Sequence, residues 1–188
     1  TLGVANGGTG LASGTSGQFL KFTGSTTLAS AASGINMADQ WRLNSSFTGS
    51  ASPITSNLER VDTAGQGTIG SAMTVSSGIF TFPSTGIYLV RFTAGMFIHN
   101  NSDRTTGFAI EATTNNSSYT EVAMGSMNMF NSSDNTTSVG SCETYIDVTD
   151  TANVKVRFMT FPQRSTTAMN ASSTSNKFTF TFIRLGDT

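Results

Sequence analysis

The sequence predicts an all-β protein, an antiparallel sandwich or barrel, on three observations. Apolar side chains recur at every second position through short segments. Clusters of Gly, Ser, Thr, Asn and Asp separate those segments at near-regular intervals. No stretch repeats its apolar residues every three to four positions over a length that would support a helix.

Ile79 to Phe82 runs into the turn Pro83-Ser-Thr-Gly86, and Ile87 to Ile98 follows as a long apolar segment. Within it Tyr88, Val90, Phe92, Ala94 and Met96 fall on one face, while Leu89, Arg91 and Thr93 fall on the other. Polar breaks come at 99–103, 113–118 and 131–138. Phe108 to Ala112 and Tyr119 to Met124 flank the second break as a predicted hairpin. Cys142, Thr144, Ile146 and Val148 then alternate with Glu143, Tyr145 and Asp147. Residues 149–153 form a compact turn, after which Val154, Val156 and Phe158 alternate with Lys155 and Arg157. The last segment, Phe178-Thr-Phe-Thr-Phe182, alternates aromatic and β-branched side chains without exception.

Residues 1–35 read differently. Gly, Ser, Thr and Ala dominate, with Leu2, Val4, Leu11, Phe19, Leu20, Phe22 and Leu28 as the apolar residues. That is too little area for an independent core, since small units bury proportionally less of their surface. Phe19, Leu20 and Phe22 sit together between glycines, which a pure linker seldom shows. We therefore expect a two-part chain: an arm over 1–35 that gains its core by pairing with copies of itself, and a domain over 36–188.

Charge excludes some functions. Ten Lys+Arg balance eleven Asp+Glu, and only 11% of residues are charged, so the clustered positive footprint of a nucleic-acid binder is missing. No apolar run reaches the length of a membrane-spanning helix. The opening residues show neither a basic nor an apolar leader region, so no signal peptide is expected, and the missing initiator Met reads as processing or as a fragment of something longer. A single cysteine, Cys142, excludes an internal disulfide.

Candidate chemistry is sparse. His99, the sole histidine, would be needed for a Ser-His-Asp triad, but Ser is so abundant that nearness in sequence carries no information, and no G-x-S-x-G elbow occurs. A loop-edge histidine is the plainer reading. Glu111, Glu121, Asp134, Glu143, Asp147 and Asp150 are scattered, and the sequence alone pairs none of them as a glycosidase requires. Asp147 and Asp150 flank a tight turn, which accounts for them through local hydrogen bonding; calcium in such a loop is the lesser alternative. Cys142 alternates with inward apolar residues and reads as a buried, inert thiol. Gly7-Gly-Thr-Gly10 lacks the Lys-Ser/Thr end of a phosphate loop. The Asn-X-Ser/Thr triplets at Asn44, Asn100, Asn115, Asn131, Asn135 and Asn170 arise from composition alone. No catalytic, metal-binding or cofactor-binding residue is assigned, no cofactor is expected, and the receptor-binding residues stay unknown.

Two stretches resemble known families. Gly78-Ile-Phe-Thr-Phe-Pro-Ser-Thr-Gly-Ile-Tyr-Leu-Val-Arg-Phe92 is similar to the strand pair of the complement-component-one-q globular head and tumour necrosis factor superfamily. There a Phe-rich strand ends at Pro, and Gly-x-Tyr opens a long central strand. Cys142 to Phe158 resembles that superfamily's later hairpin, and Phe178 to Leu185 its closing strand. The resemblance spans about residues 40–186 and implies a ten-stranded jelly roll that assembles as a homotrimer. The superfamily's collagen stalk has no counterpart, since Gly does not recur every third residue. Leu2-Gly-Val-Ala-Asn-Gly-Gly-Thr-Gly-Leu11, continuing through Gly17-Gln-Phe-Leu-Lys-Phe-Thr-Gly24 to Leu28, resembles an element of bacteriophage tail-fibre and other virion fibre proteins, where it forms part of an intertwined trimeric shaft.

Together the resemblances imply a non-enzymatic virion structural protein: a homotrimeric phage fibre, spike or knob, attached to tail or head and exposed on the virion surface. Its arm would contact other virion proteins and its jelly-roll head a host cell-surface glycan or protein, with no nucleic acid and no membrane insertion. Recognition is expected in loops 99–106, 113–118, 131–138 and 163–176, because scaffolded loops carry binding. A secreted complement- or cytokine-like receptor ligand is the alternative, and a glycan hydrolase or lyase ranks third.

Overall fold

A computed structural model describes residues 14–16, 18–31, 34–98, 103–129 and 136–188; for 97, 98, 103 and 104 it describes the backbone alone. The chain divides into two compact units, Thr1–Asn36 and Met37–Thr188.

The described part of the first unit is a hairpin of β1 (Phe19–Phe22) and β2 (Leu28–Ala31). The second unit contains β3 (Ala38–Leu43), β4 (Phe47–Thr48), β5 (Leu58–Arg60), β6 (Thr74–Ser76), β7 (Ile79–Thr81), β8 (Gly86–Ile98), β9 (Asp103–Thr113), β10 (Thr120–Met129), β11 (Thr136–Val148), β12 (Lys155–Pro162), β13 (Ala168–Met169) and β14 (Thr179–Gly186). One sheet runs β10-β9-β12-β7-β6. The other runs β4-β13-β8-β14-β3-β5, with β11 on the opposite edge of β8. Among the described residues, with the two-residue β4 and β13 set aside, each sheet has five strands, and all pairings are antiparallel. This is a sandwich, as the alternation predicts, and the ten-stranded jelly roll that the resemblance implies.

Alternation drives the packing as expected. Tyr88, Val90, Phe92, Ala94 and Met96 on β8 are all fully buried, as are Phe178, Phe180 and Phe182 beside them. Their rings meet those of the opposite sheet: Phe158 lies 4.5 Å from Phe180 and 5.3 Å from Phe92, and Phe80 lies 5.1 Å from Phe182, centroid to centroid. Such tilted and edge-on pairs add about 0.5–1.5 kcal/mol each beyond the area they bury.

Two local devices close the sandwich. The β6–β7 hairpin turns on Ser77 (φ 49°) and Gly78 (φ 78°), and a Cβ at Gly78 would stand 2.2 Å from the Ile54 carbonyl oxygen. Only glycine fits there. At the opposite edge the Phe108 ring fills the space beside Gly125 of β10 and Gly140 of β11, where added Cβ atoms would come to 2.2 Å and 3.0 Å of it. The two long edge strands thus share one aromatic ring.

The segment between β3 and β6 is fixed by charge. The fully buried Asp39 carboxylate accepts hydrogen bonds from Trp41 Nε1 (3.0 Å), the Met73 amide (2.9 Å) and Arg60 Nε (3.2 Å). Arg60 also stacks on the Trp41 ring at 4.6 Å. Arg42, equally buried, donates to Glu59 (3.2 Å), Thr63 Oγ1 (2.8 Å) and the Ser173 carbonyl. These charges are paired and hydrogen-bonded, the condition under which burial is tolerated.

Two outcomes follow from this packing. Phe92→Ala should lower unfolding stability by roughly 3–5 kcal/mol, seen as an earlier urea midpoint with an unchanged slope. Asp39→Ala, which strands the Trp41 and Met73 donors, should cost about 1–3 kcal/mol in the same assay.

Candidate interaction surface

Among the described residues, those singled out for chemistry do not converge. His99, Asp134, Asn100, Asn131, Asn135 and Gly7 to Gly10 lie outside the described residues. Glu111 and Glu121 face one another across β9 and β10, but Glu111 is held by Arg157 Nε at 2.6 Å. Glu143 pairs with Arg91 at 2.8 Å on the other sheet. Asp150 accepts from the Ala152 amide (2.8 Å) and Asn153 Nδ2 (2.7 Å), so its carboxylate serves the turn, as the sequence predicts. Among the described residues no group of three or more His, Cys, Asp or Glu could hold a metal ion, and no helix is long and apolar enough to cross a membrane.

Cys142 points inward from β11 but is half-buried rather than fully buried, a correction that follows from its place on an edge strand. Burial pushes its thiol up to about 11, with the Glu121 carboxylate adding to the effect. Tyr119 lies with its ring 4.0 Å from the Arg157 guanidinium. Burial is the largest cause raising its phenol above the usual value, and Arg157 opposes the shift.

The predicted recognition loops are trimmed by the strands. Residues 103–106 already belong to β9 and 136–138 to β11, because both strands carry their pairing further than the polar composition indicates. The 113–118 loop is built as expected: Asn115 Oδ1 accepts from the amides of Ser117 (3.0 Å) and Ser118 (2.9 Å), and the Asn116 amide reaches the Asn153 carbonyl (3.0 Å) in the β11–β12 turn. Loop 163–176 contains β13 and otherwise runs without strand structure.

The feature that sequence reading missed is on the outer face of the β8 sheet. The register sets Ile69, Ala38, Ile183, Leu89 and Tyr145 side by side, one from each neighbouring element. They form an apolar rung across the whole sheet, with Tyr145 69% and Ile69 49% exposed. Leu185 adds a further exposed side chain on β14, the strand that carries Ile183. The next rung is polar: Gln40 Nε2 donates to Thr181 Oγ1 (2.8 Å), and Arg91 bonds Glu143. Alternation places Leu89 and Tyr145 on outward faces, but only cross-strand register shows that they join Ile183, Ala38 and Ile69 in one row. In the first unit, Phe19, Leu20 and Phe22 are 65%, 54% and 62% exposed.

The Cys142 environment is testable. Alkylation by iodoacetamide should rise about tenfold per pH unit from pH 7 to pH 10 without levelling, because only the thiolate reacts. A raised thiol pKa also means the folded form holds its proton longer. The stabilisation is present in full below pH 9 and is lost as the pH climbs towards 11, so the urea midpoint should fall across that window less in Cys142→Ser than in the parent.

No protein-family model matches this chain, and no curated protein matches it. Among solved structures it is similar to the structure of Eiger TNF from S. frugiperda, at 13% identity and a TM-score of 0.54, covering 82% of this chain and 96% of that one. At that identity the likeness is one of fold: the chain has a TNF-like all-β architecture.

Proposed function

We propose that this protein is a homotrimeric virion appendage, a phage fibre, spike or knob whose jelly-roll head meets the host surface. The observation that carries the assembly is the apolar rung Ile69–Ala38–Ile183–Leu89–Tyr145, a row exposed at its two ends, Ile69 and Tyr145, and half-buried at Ala38, Ile183 and Leu89 between them. Contiguous exposed apolar surface marks an interaction site on a folded protein. Arg91 and Glu143 beside it are already paired within one chain, so that pair brings no net charge to an approaching identical face. The exposed Phe19, Leu20 and Phe22 of the arm supply a second set of side chains that copies of the chain would cover.

The virion assignment is supported by the Val4-Ala-Asn-Gly-Gly-Thr-Gly10 resemblance joined to a distal β-sandwich. Host contact falls to the loops at the ends of the sandwich, 113–118 and 163–176 among them. The TNF-like fold equally fits a secreted receptor-binding ligand, the second reading. Both are binding roles, and neither uses catalysis.

Native mass spectrometry of the full chain at micromolar concentration should give a three-chain species. Leu89→Asp should weaken it at least about tenfold, since an unpartnered carboxylate would enter the contact. A monomer from the parent chain overturns the reading. Antibody labelling of purified phage particles should then place the chain on tail or capsid. Its recovery only as a free secreted protein decides for the receptor ligand.

A further inference from the structure

Two loops of the head, 62–66 and 172–176, meet on a single buried side chain. Arg42 stands on β3 with its side chain 1% exposed, where a charge is tolerated only when its donors find acceptors. Its Nε donates to Glu59 on β5 (3.2 Å), and Nη1 reaches Gln66 Oε1 (3.4 Å). Nη2 serves both loops at once, donating to Thr63 Oγ1 (2.8 Å) and to the Ser173 carbonyl. Thr63 Oγ1 in turn donates to that same carbonyl (3.5 Å), which closes a triangle of three groups. The exposed Asp62 carboxylate stands 3.8 Å from Nη2, an attraction that solvent screens.

Apart from that triangle each loop is held lightly. Residues 62 and 64–66 are exposed, and the Gln66 amide bonds back to the Thr63 carbonyl (2.8 Å). Residues 173–176 are exposed as well, with Ser172 Oγ accepting from the amides of Thr174 (3.2 Å) and Ser175 (3.1 Å). The ends of this loop are tied to β3, the Ser172 amide to the Leu43 carbonyl (3.1 Å) and Asn176 Nδ2 to Gln40 Oε1 (2.7 Å). Exposed segments with solvent-facing hydrogen bonds open at low free energy.

We propose that 62–66 and 172–176 are one cooperative unit, latched by Arg42, which opens and closes as a whole while the sandwich stays folded. Lifting one loop alone leaves a guanidinium N–H without its acceptor under the loop that remains, and an orphaned charged donor costs more than an ordinary hydrogen bond contributes. Lifting both lets Arg42 turn into water and recover its hydration. The low-energy states are therefore both loops down or both loops up. Such coupling is reciprocal: what stiffens one loop stiffens the other, although Thr63 and Ser173 lie 110 residues apart. The consequence goes beyond the host-contact reading and holds for any partner of the head. A partner that grips residues 173–176 also orders 62–66, so the two loops act as one surface.

Hydrogen exchange of the full chain, read by mass spectrometry, tests this by disturbing one loop and reading the other. Thr63→Val removes the hydroxyl bonded to Arg42 and Ser173, and Ser172→Ala removes the cap on Thr174 and Ser175. Each should speed exchange about fivefold in both segments, 61–67 and 171–177, the loss of roughly one hydrogen bond, while β8 and β14 stay unchanged. In an Arg42→Met background, Thr63→Val should no longer reach 171–177; if that background does not fold, the two single variants decide alone. Acceleration that fails to appear in the segment without the substitution overturns the proposal. So does acceleration that spreads through β8 and β14, since the loops are then no unit of their own, and so does a Thr63→Val effect on 171–177 that persists without Arg42.

Discussion

The contact between Phe92, Phe158 and Phe180 is the constraint on which the head depends. These three rings come from three strands and both sheets, and they lie mutually within 5.3 Å. Phe80, Phe108, Phe178 and Phe182 pack outward from them, so the interior is a continuous aromatic layer. Rings of this size set the sheet separation and tolerate no slip, because moving any strand by one residue would turn its rings to solvent. With no internal disulfide to help, the register of β8, β12 and β14 is held by this layer.

Polar residues then decide what the layer leaves open. The Asp39 and Arg42 clusters pin residues 57–73 against β3, and with that segment the position of Ile69 at the end of the outer rung. The buried charges of this fold are thus spent on orienting a loop beside a surface. Elsewhere Arg91 pairs with Glu143 and Arg157 with Glu111, each within its own sheet. The outer faces consequently present hydroxyls, amides and apolar rows rather than a field of one sign.

Period two alone was enough to read β8, β11, β12 and β14, because Tyr88 to Met96, Cys142 to Val148, Val154 to Phe158 and Phe178 to Phe182 alternate without interruption. The first third of the domain was less legible. Trp41 and Leu43 are buried, but they flank the buried Arg42, and Asp39 sits inside as well, so hydropathy does not mark β3 as a core strand. Their partners lie at Glu59, Arg60, Thr63 and Met73, which no local pattern connects. The outer rung was illegible for a related reason. Its five residues are drawn from five separate stretches of chain, and each alone is an ordinary exposed or half-buried apolar residue.

Phe108 between Gly125 and Gly140 carries one more consequence. Long bare edges ordinarily invite foreign strands to add themselves. Here the two rims meet at a ring that leaves room for no more than a hydrogen atom at Gly125 and stands tight against Gly140, where Met127 also closes in. Mutational drift at those two glycines would therefore prise the seam apart and turn a closed flank into a pair of sticky borders. The hazard would be aggregation, even where the rest of the interior stayed whole.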